Sequence, residues 1–318
     1  MKPVLWAILL TAPVAAQVRI AQHGIEYISV EIKGKPFTAF FIGPETNKPY
    51  LHPLRSASGK TVTRGYPMED LPGESHDHPH HRGLWFAHGD VNGFDFWGNE
   101  ARGGKFGRIV LAKVDNLSSG KESGVIDATF DWRDPAGKVL LTEARHMIFY
   151  SQPKTRTIDF DITLTAREKV TFGDTKEGTF ALRLAPGLEE PHSGAPAQPP
   201  RTGHIVDSLG REGEKQVWGK RADWVDYYGE LEGEPLGIAI FDHPSNPRHP
   251  TYWHVRSYGL FAANIFGLHD FEHDKSKDGS LTLAAGETLR FRYRVVIHPG
   301  DVRSAHIARL YQDYSGGR

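Results

Sequence analysis

Apolar and polar residues alternate with a period of two from one end of this chain to the other. In "EYISVEIK", Ile28, Val30 and Ile32 point one way while Tyr27, Ser29, Glu31 and Lys33 point the other. Gly34-Lys35 then turns the chain into "PFTAFFIG", which predicts a hairpin. In "TIDFDITLTA", Ile158, Phe160, Ile162 and Leu164 alternate with Asp159, Asp161 and Thr163. In "TLRFRYRVVIH", Leu289, Phe291, Tyr293, Val295 and Ile297 alternate with Arg290, Arg292 and Arg294. Such half-buried strands belong to antiparallel sheets with one face on a core. Helical periodicity is confined to "DVRSAHIARLYQDY", where Val302, Ala305, Ile307, Ala308, Leu310 and Tyr311 approximate one face and Asp301 is the expected N-cap. The pattern predicts a mostly β protein, a large antiparallel β-sandwich or supersandwich with a C-terminal helix, in one domain over 17–318.

The first residues, "MKPVLWAILLTAPVAAQ", carry one charge at Lys2, an apolar run from Val4 to Leu10, and small residues Val14 to Ala16. That is the layout of a signal peptide over residues 1–16, and it implies export to the periplasm or the medium. No later apolar run approaches the roughly 20 residues of a membrane span. Export permits disulfides, but the chain has no cysteine, so any metal must be held by His, Asp or Glu. The 38 basic and 39 acidic residues nearly cancel without a basic run, which argues against nucleic acid as a partner. One long stretch rich in Pro and Gly, "APGLEEPHSGAPAQPPRTG" over Ala185–Gly203, reads as a binding loop, a lid or a plain insertion.

Three clusters could carry chemistry. "GESHDHPHHRGLWFAHGDVNGFDFW" places His76, His78, His80 and His81 within six positions, in a connection marked by Pro79 and Gly83. Extended, it would put His76, His78 and His80 on one side. Those imidazoles suit one divalent metal ion, with Asp77 or Asp90 as a further ligand or hydrogen-bond acceptor, or else a polar substrate, or a structural turn. In "FGDTKEGTFALRL", a strand would turn Phe180, Leu182 and Leu184 to the core and Glu177, Thr179 and Arg183 the other way. Asp174, Lys176 and Glu177 can then shift one another's protonation, as acid/base work requires, or simply form a solvated edge. In "HPSNPRHPTYWHVRSYGLFAANIFG", His254 and Arg256 alternate with Trp253 and Val255. Lys220, Arg221, Asp226, His243, Asn246, Arg248 and Asn264 are further polar candidates. Trp85, Trp97, Trp218, Trp224 and Trp253 are either flat faces on which a sugar stacks or members of the core.

Long strings, "KPYLHPLRSASGKTVTRGYPM", "DHPHHRGLWFAHGDVNGFDFW", "FGDTKEGTFALRL", "VWGKRADWVDYYG" and "HPSNPRHPTYWHVRSYGLFAANIFG", carry a resemblance over nearly all of the chain beyond residue 16. The chain resembles an exported bacterial family of unknown function often labelled "methane oxygenase PmoA-like". Methane oxidation does not follow from that label, because a particulate methane monooxygenase subunit has many apolar spans. The resemblance implies a sandwich of the galactose-mutarotase type and a setting among sugar-degrading proteins. Its motifs cover Asp77, His78, His80, His81, Arg82, Asp90, Asn92, Asp174, Lys176, Glu177, Lys220, Arg221, His254 and Arg256, but not His76.

The expected protein is therefore a carbohydrate-active enzyme that cleaves a glycosidic bond, by hydrolysis or elimination. Glu177 or Asp174 would be the acid/base, with His78, His81 and His254 moving protons or holding the sugar. Arg82, Asp90, Asn92, Lys176, Lys220, Arg221, Trp253 and Arg256 would bind the substrate, and His78 and His80 would be the metal ligands. An aldose-epimerase type of isomerase and a non-catalytic sugar-binding protein are the alternatives. The cleaving reading requires the three clusters to meet in one cleft.

Overall fold

A computed structural model describes residues 16–99 and 105–316 of the protein. The expected signal segment falls almost wholly outside the described residues. The alternating segments form β1 (Val18–His23), β2 (Tyr27–Ile32), β3 (Lys35–Phe41), β4 (Tyr50–His52), β5 (Leu84–His88), β6 (Arg108–Ser118), β7 (Ser123–Arg133), β8 (Val139–Tyr150) and β9 (Arg156–Ala166). Beyond them lie β10 (Val170–Phe172), β11 (Gly178–Arg183), β12 (His204–Asp207), β13 (Trp224–Leu231), β14 (Glu234–Asp242), β15 (Tyr252–Val255), β16 (Leu260–Asn264), β17 (Leu281–Leu283) and β18 (Thr288–Pro299). Among the described residues three α-helices accompany them: α1 (Glu214–Val217), α2 (Leu268–Phe271) and α3 (Ile307–Ser315).

Two antiparallel sheets of eight strands each result. One has the order β1-β2-β3-β4-β5-β11-β16-β15, the other β12-β13-β14-β18-β9-β8-β7-β6, and β10 pairs with β17 in a small ribbon. The β2–β3 hairpin turns at Lys33 and Gly34, whose φ values of 53° and 74° give the doubly left-handed turn that matches strand twist. The sheets meet through aromatic rings. Phe40 of β3 packs on Phe130 of β7 at 5.8 Å, Phe86 of β5 on Phe291 of β18 at 5.4 Å, and Phe180 of β11 on Tyr293 of β18 at 4.4 Å. Offset and edge-on ring pairs of this kind add to the area they bury.

The C-terminal helix starts later than its apolar spacing suggests. Asp301 does not cap it. The Asp301 carboxylate instead accepts the N–H groups of Arg303 and Ser304 and closes a turn, and α3 begins after His306, at φ 54°. Ile307 and Tyr311 then pack with Val206, Trp224, Phe241 and Val296 on the outer face of the second sheet, while Ala308 faces solvent. This second small core explains why Val296 is buried although the alternation of β18 assigns it to the polar face.

Candidate functional site

The cleft is built on the first sheet, on the face away from the core. Residues opposite one another in an antiparallel ladder share a face. Trp85, Ala181, Ala262 and His254 therefore form one row across β5, β11, β16 and β15, and Phe86, Phe180, Ala263 and Trp253 form the row behind it. The second row is core. Trp253 is 0% exposed and its indole N–H donates to the Ala222 carbonyl at 2.9 Å, so it offers no platform to a sugar. Trp85 is likewise 0% exposed, and what it supports is the histidine loop.

That loop is not extended. His81 N–H donates to the His78 carbonyl at 3.0 Å, with Pro79 at the second position of the turn, where its fixed φ is favourable. The turn brings the rings of His78 and His81 face to face at 4.7 Å. Trp85 lies beyond His81 at 5.3 Å and Tyr258 beyond His78 at 5.5 Å, which makes a stack of four rings standing on the sheet. The loop backbone is held from behind by Arg64, which donates to the carbonyls of Ser75, Asp77 and His78. Arg64 and Arg183 have fully buried side chains, and both hold the Asp77 carboxylate, at 2.5 and 3.0 Å. Burial alone would raise the Asp77 carboxyl, but hydrogen bonds from His78 and Ser75 and the charge of Arg183 outweigh it and hold the group well below the usual carboxylate range.

The second cluster reaches the cleft just before β11. Lys176 and Glu177 form an ion pair at 3.2 Å, and the Asn264 amide anchors the same loop by donating to the Thr175 carbonyl at 3.0 Å. Gly178 lets the chain pass close to its neighbours, since a Cβ there would lie 2.7 Å from His88 Nδ1. The third cluster supplies His254, whose Nδ1 donates to the Lys176 carbonyl at 3.0 Å, and Arg256, paired with Glu214 of α1 at 2.7 Å. Together His78, His80, His81, Asp95, Trp97, Lys176, Glu177, His254, Arg256 and Tyr258 line a cavity of about 340 Å³.

Burial keeps three of these imidazoles, those of His80, His81 and His254, in the neutral form. Burial pushes His254 down to about 4 against the opposing charge of Glu177, and pushes His80 to about 3 with help from nearby cations. His81 is lowered well below its ordinary value for the same reasons. Burial raises the Asp95 carboxyl. Among the described residues, His81 Nε2, His254 Nε2, His80 Nδ1 and Trp97 Nε1 are buried without a hydrogen-bond partner. Buried polar atoms are ordinarily satisfied, and four such atoms around one cavity suit a polar ligand.

Other expected site residues lie elsewhere. The Asp174 carboxylate accepts the His269 backbone N–H at 3.1 Å and contacts His269 Nδ1 at 2.8 Å, so it fastens α2 instead of facing the cleft. Asp90 closes a turn onto Gly93 N–H, and Asn92 ties the Thr171 N–H and the Lys169 carbonyl. Arg82 lies over the Tyr50 ring at 5.7 Å, outside the cleft lining. Arg221 donates to the carbonyls of Pro250 and Arg248, and Lys220 is exposed beside it. His78 and His80, the expected metal ligands, are ring neighbours. Their rings meet edge to face at 5.6 Å while His78 stacks on His81, and among the described residues no three His, Asp or Glu side chains are grouped to hold an ion. Asp95, Tyr258, Glu214 and Arg64 were missed. Each sits inside or beside a quoted motif, but nothing in its local pattern distinguishes it.

A search of curated proteins finds no match to the sequence. Among solved structures, the chain is similar to an α-galactosidase from Lactobacillus brevis, at 12% identity and TM-score 0.39, covering 93% of this chain and 42% of that one. It is similar to a galactose mutarotase-like protein from Clostridium acetobutylicum, at 10% identity and TM-score 0.44, covering 89% and 99%. It is also similar to a galactose 1-epimerase from Lactobacillus acidophilus, at 9% identity and TM-score 0.41, covering 90% and 100%. No helix among the described residues is long and apolar enough to cross a membrane. A family model matches residues 27–312, and the chain thereby belongs to DUF6807, a family of unknown function.

Proposed function

We propose that this cleft acts on a carbohydrate by acid/base chemistry and breaks a glycosidic bond, by hydrolysis or elimination. The observation that carries the reading is the convergence of Glu177, His81 and His254, from three distant segments, on one cavity whose buried imidazole nitrogens have no protein partner. Glu177 is the group that moves the proton. It is the carboxylate at the mouth, 38% exposed and paired with Lys176, and thus able to exchange protons with solvent between turnovers. His254 Nε2 accepts a hydroxyl proton, and the half-buried Tyr258 ring meets the C–H surface of the sugar. Arg256 hydrogen-bonds an oxygen of the substrate. The chain does this work after export, a reading supported by its first 16 residues.

The cavity volume favours one alternative. About 340 Å³ lies at the small end of the roughly 300–1,000 Å³ of small-molecule sites, which suits a single sugar unit and hence an isomerase of free sugars. Incubation with a panel of oligosaccharides and oxidised glycosides separates the two, because only bond cleavage releases a second product. Glu177→Gln keeps shape and hydrogen bonding but removes the titrating group. Turnover is expected to fall roughly 10²-fold or more with sugar affinity little changed. Turnover that survives the substitution would move the role to His254, and binding without turnover by the unmutated protein would make it a sugar-binding protein.

A further inference from the structure

Two imidazoles in the cleft have their protons assigned by partners that allow no alternative. A guanidinium only donates, so the 3.2 Å contact with Arg183 Nη1 makes His81 Nδ1 an acceptor, and the neutral ring carries its proton on Nε2. A backbone carbonyl only accepts, so the 3.0 Å contact with Lys176 O makes His254 Nδ1 the donor and leaves a lone pair on Nε2. His81 and His254 are 1% and 2% exposed, and both Nε2 atoms lack a partner among the described residues. The two rings line the same cavity with opposite polarity.

We propose that His81 and His254 form a fixed donor–acceptor pair for adjacent oxygens of a neutral sugar, with Arg183 as the positioning residue that sets the polarity of His81. His81 Nε2–H donates to the sugar oxygen that gains negative charge during reaction, and His254 Nε2 accepts from a neighbouring hydroxyl. The ligand must therefore offer both a donor and an acceptor, which a sugar hydroxyl pair does and a carboxylate does not. This rests on the reading of the cleft as a carbohydrate site. Arg183 also strengthens the donor. The Arg64 and Arg183 guanidiniums share the Asp77 carboxylate, and the positive charge behind Nδ1 polarises the N–H on the far side of the ring. His81 stays neutral because it is buried and lies beside the Arg183 and Arg64 guanidiniums, which oppose a further charge.

Nitrogen-15 NMR of the histidine side chains in the full chain, assigned with His81→Gln and His254→Gln, reads the tautomers directly. The expected result is a proton on Nε2 of His81 and on Nδ1 of His254. Addition of D-glucose or D-galactose should shift both Nε2 resonances together. Arg183→Met should let His81 populate both tautomers while His254 keeps its own, and Arg183→Lys, which retains a donor, should restore the Nε2–H form in part. A proton on His81 Nδ1 in the unmutated protein would overturn the pair even if sugars bind. An unchanged His81 tautomer in Arg183→Met would overturn the role of Arg183. The stated tautomers with no response to either sugar would sink the carbohydrate reading and the ligand half of this proposal with it.

Discussion

Asp77 sits where two buried cations meet, and the stability of the histidine loop depends on it. Arg64 and Arg183 have no exposed side-chain surface, and guanidiniums in such positions are tolerated when a carboxylate and carbonyls satisfy them. Asp77→Asn keeps the shape but leaves adjacent buried cations without that charge. The expected loss is on the order of 2–3 kcal/mol, below the roughly 3–5 of a fully buried pair because Asp77 is partly exposed to water. Urea denaturation of the variant checks this. Because the folded-state carboxyl is held below its ordinary range, the contribution is full above that range and is lost as pH falls through it. An Asn variant as stable as the parent at neutral pH would mean that the carbonyls around Arg64, with the Ser75 hydroxyl and the His81 ring beside Arg183, suffice for the two arginines.

At the scale of elements, the sheet is a shelf and the loops bring the chemistry to it. The four strands at one end of the sheet, β5, β11, β16 and β15, contribute Trp85, Ala181, Ala262 and His254 to the cleft face. The small alanines leave room above the sheet that larger side chains would fill. The other sheet is closed on its outer face by α3, a short helix whose stability comes from packing and not from propensity. Ile307 is 0% exposed against Val206, Trp224 and Phe241. Ile307→Ala is expected to cost about 2–4 kcal/mol in denaturant titrations. Because α3 lies on the sheet that does not carry the cleft, sugar affinity should be unchanged where the variant is folded.

For the whole molecule, buried neutral histidines set the response to acid. Burial lowers His52, His80, His81, His88, His243 and His254, with His88 and His254 both near 4 against an ordinary 6.5. Between about pH 6.5 and 4 the unfolded chain binds protons that the folded chain refuses, so stability falls as pH drops through that window, by up to about 3 kcal/mol for each fully buried ring. His298 opposes this in part. Burial pulls it down, but the Asp226 carboxylate at 3.0 Å outweighs burial and raises it, so its contribution is present below the ordinary histidine range and is lost as pH rises through the raised value. Six lowered rings against one raised give a net loss, and the urea midpoint should decrease steadily from pH 7 to pH 5. A flat midpoint would show that these rings accept protons in place. Export also belongs to this scale. N-terminal sequencing of the protein from its native host should begin near Gln17, and intact Met1 in a cytosolic fraction would defeat that expectation.

The alternation of Ile28, Val30 and Ile32, or of Phe291, Tyr293 and Val295, was enough to establish strands, their faces and the mostly antiparallel class. Side chains alternate across a strand as a property of the local backbone, whatever the strand pairs with. The same rule separates His254 on the cleft face from Trp253 in the core, a distinction legible in the sequence once the core face of β15 is known. What β5, β11, β16 and β15 lie beside is not local. Their order depends on long-range pairings such as Leu84 with Leu182 and Phe180 with Ala263, and only those pairings bring His81, Glu177 and His254 into one cavity. Tertiary structure likewise separated neighbours that composition treats alike. Asp174 turned to fasten α2 while Glu177 faces the cleft, and the histidines stacked as rings instead of converging as ligands, because the buried arginines behind them dictate how the loop turns.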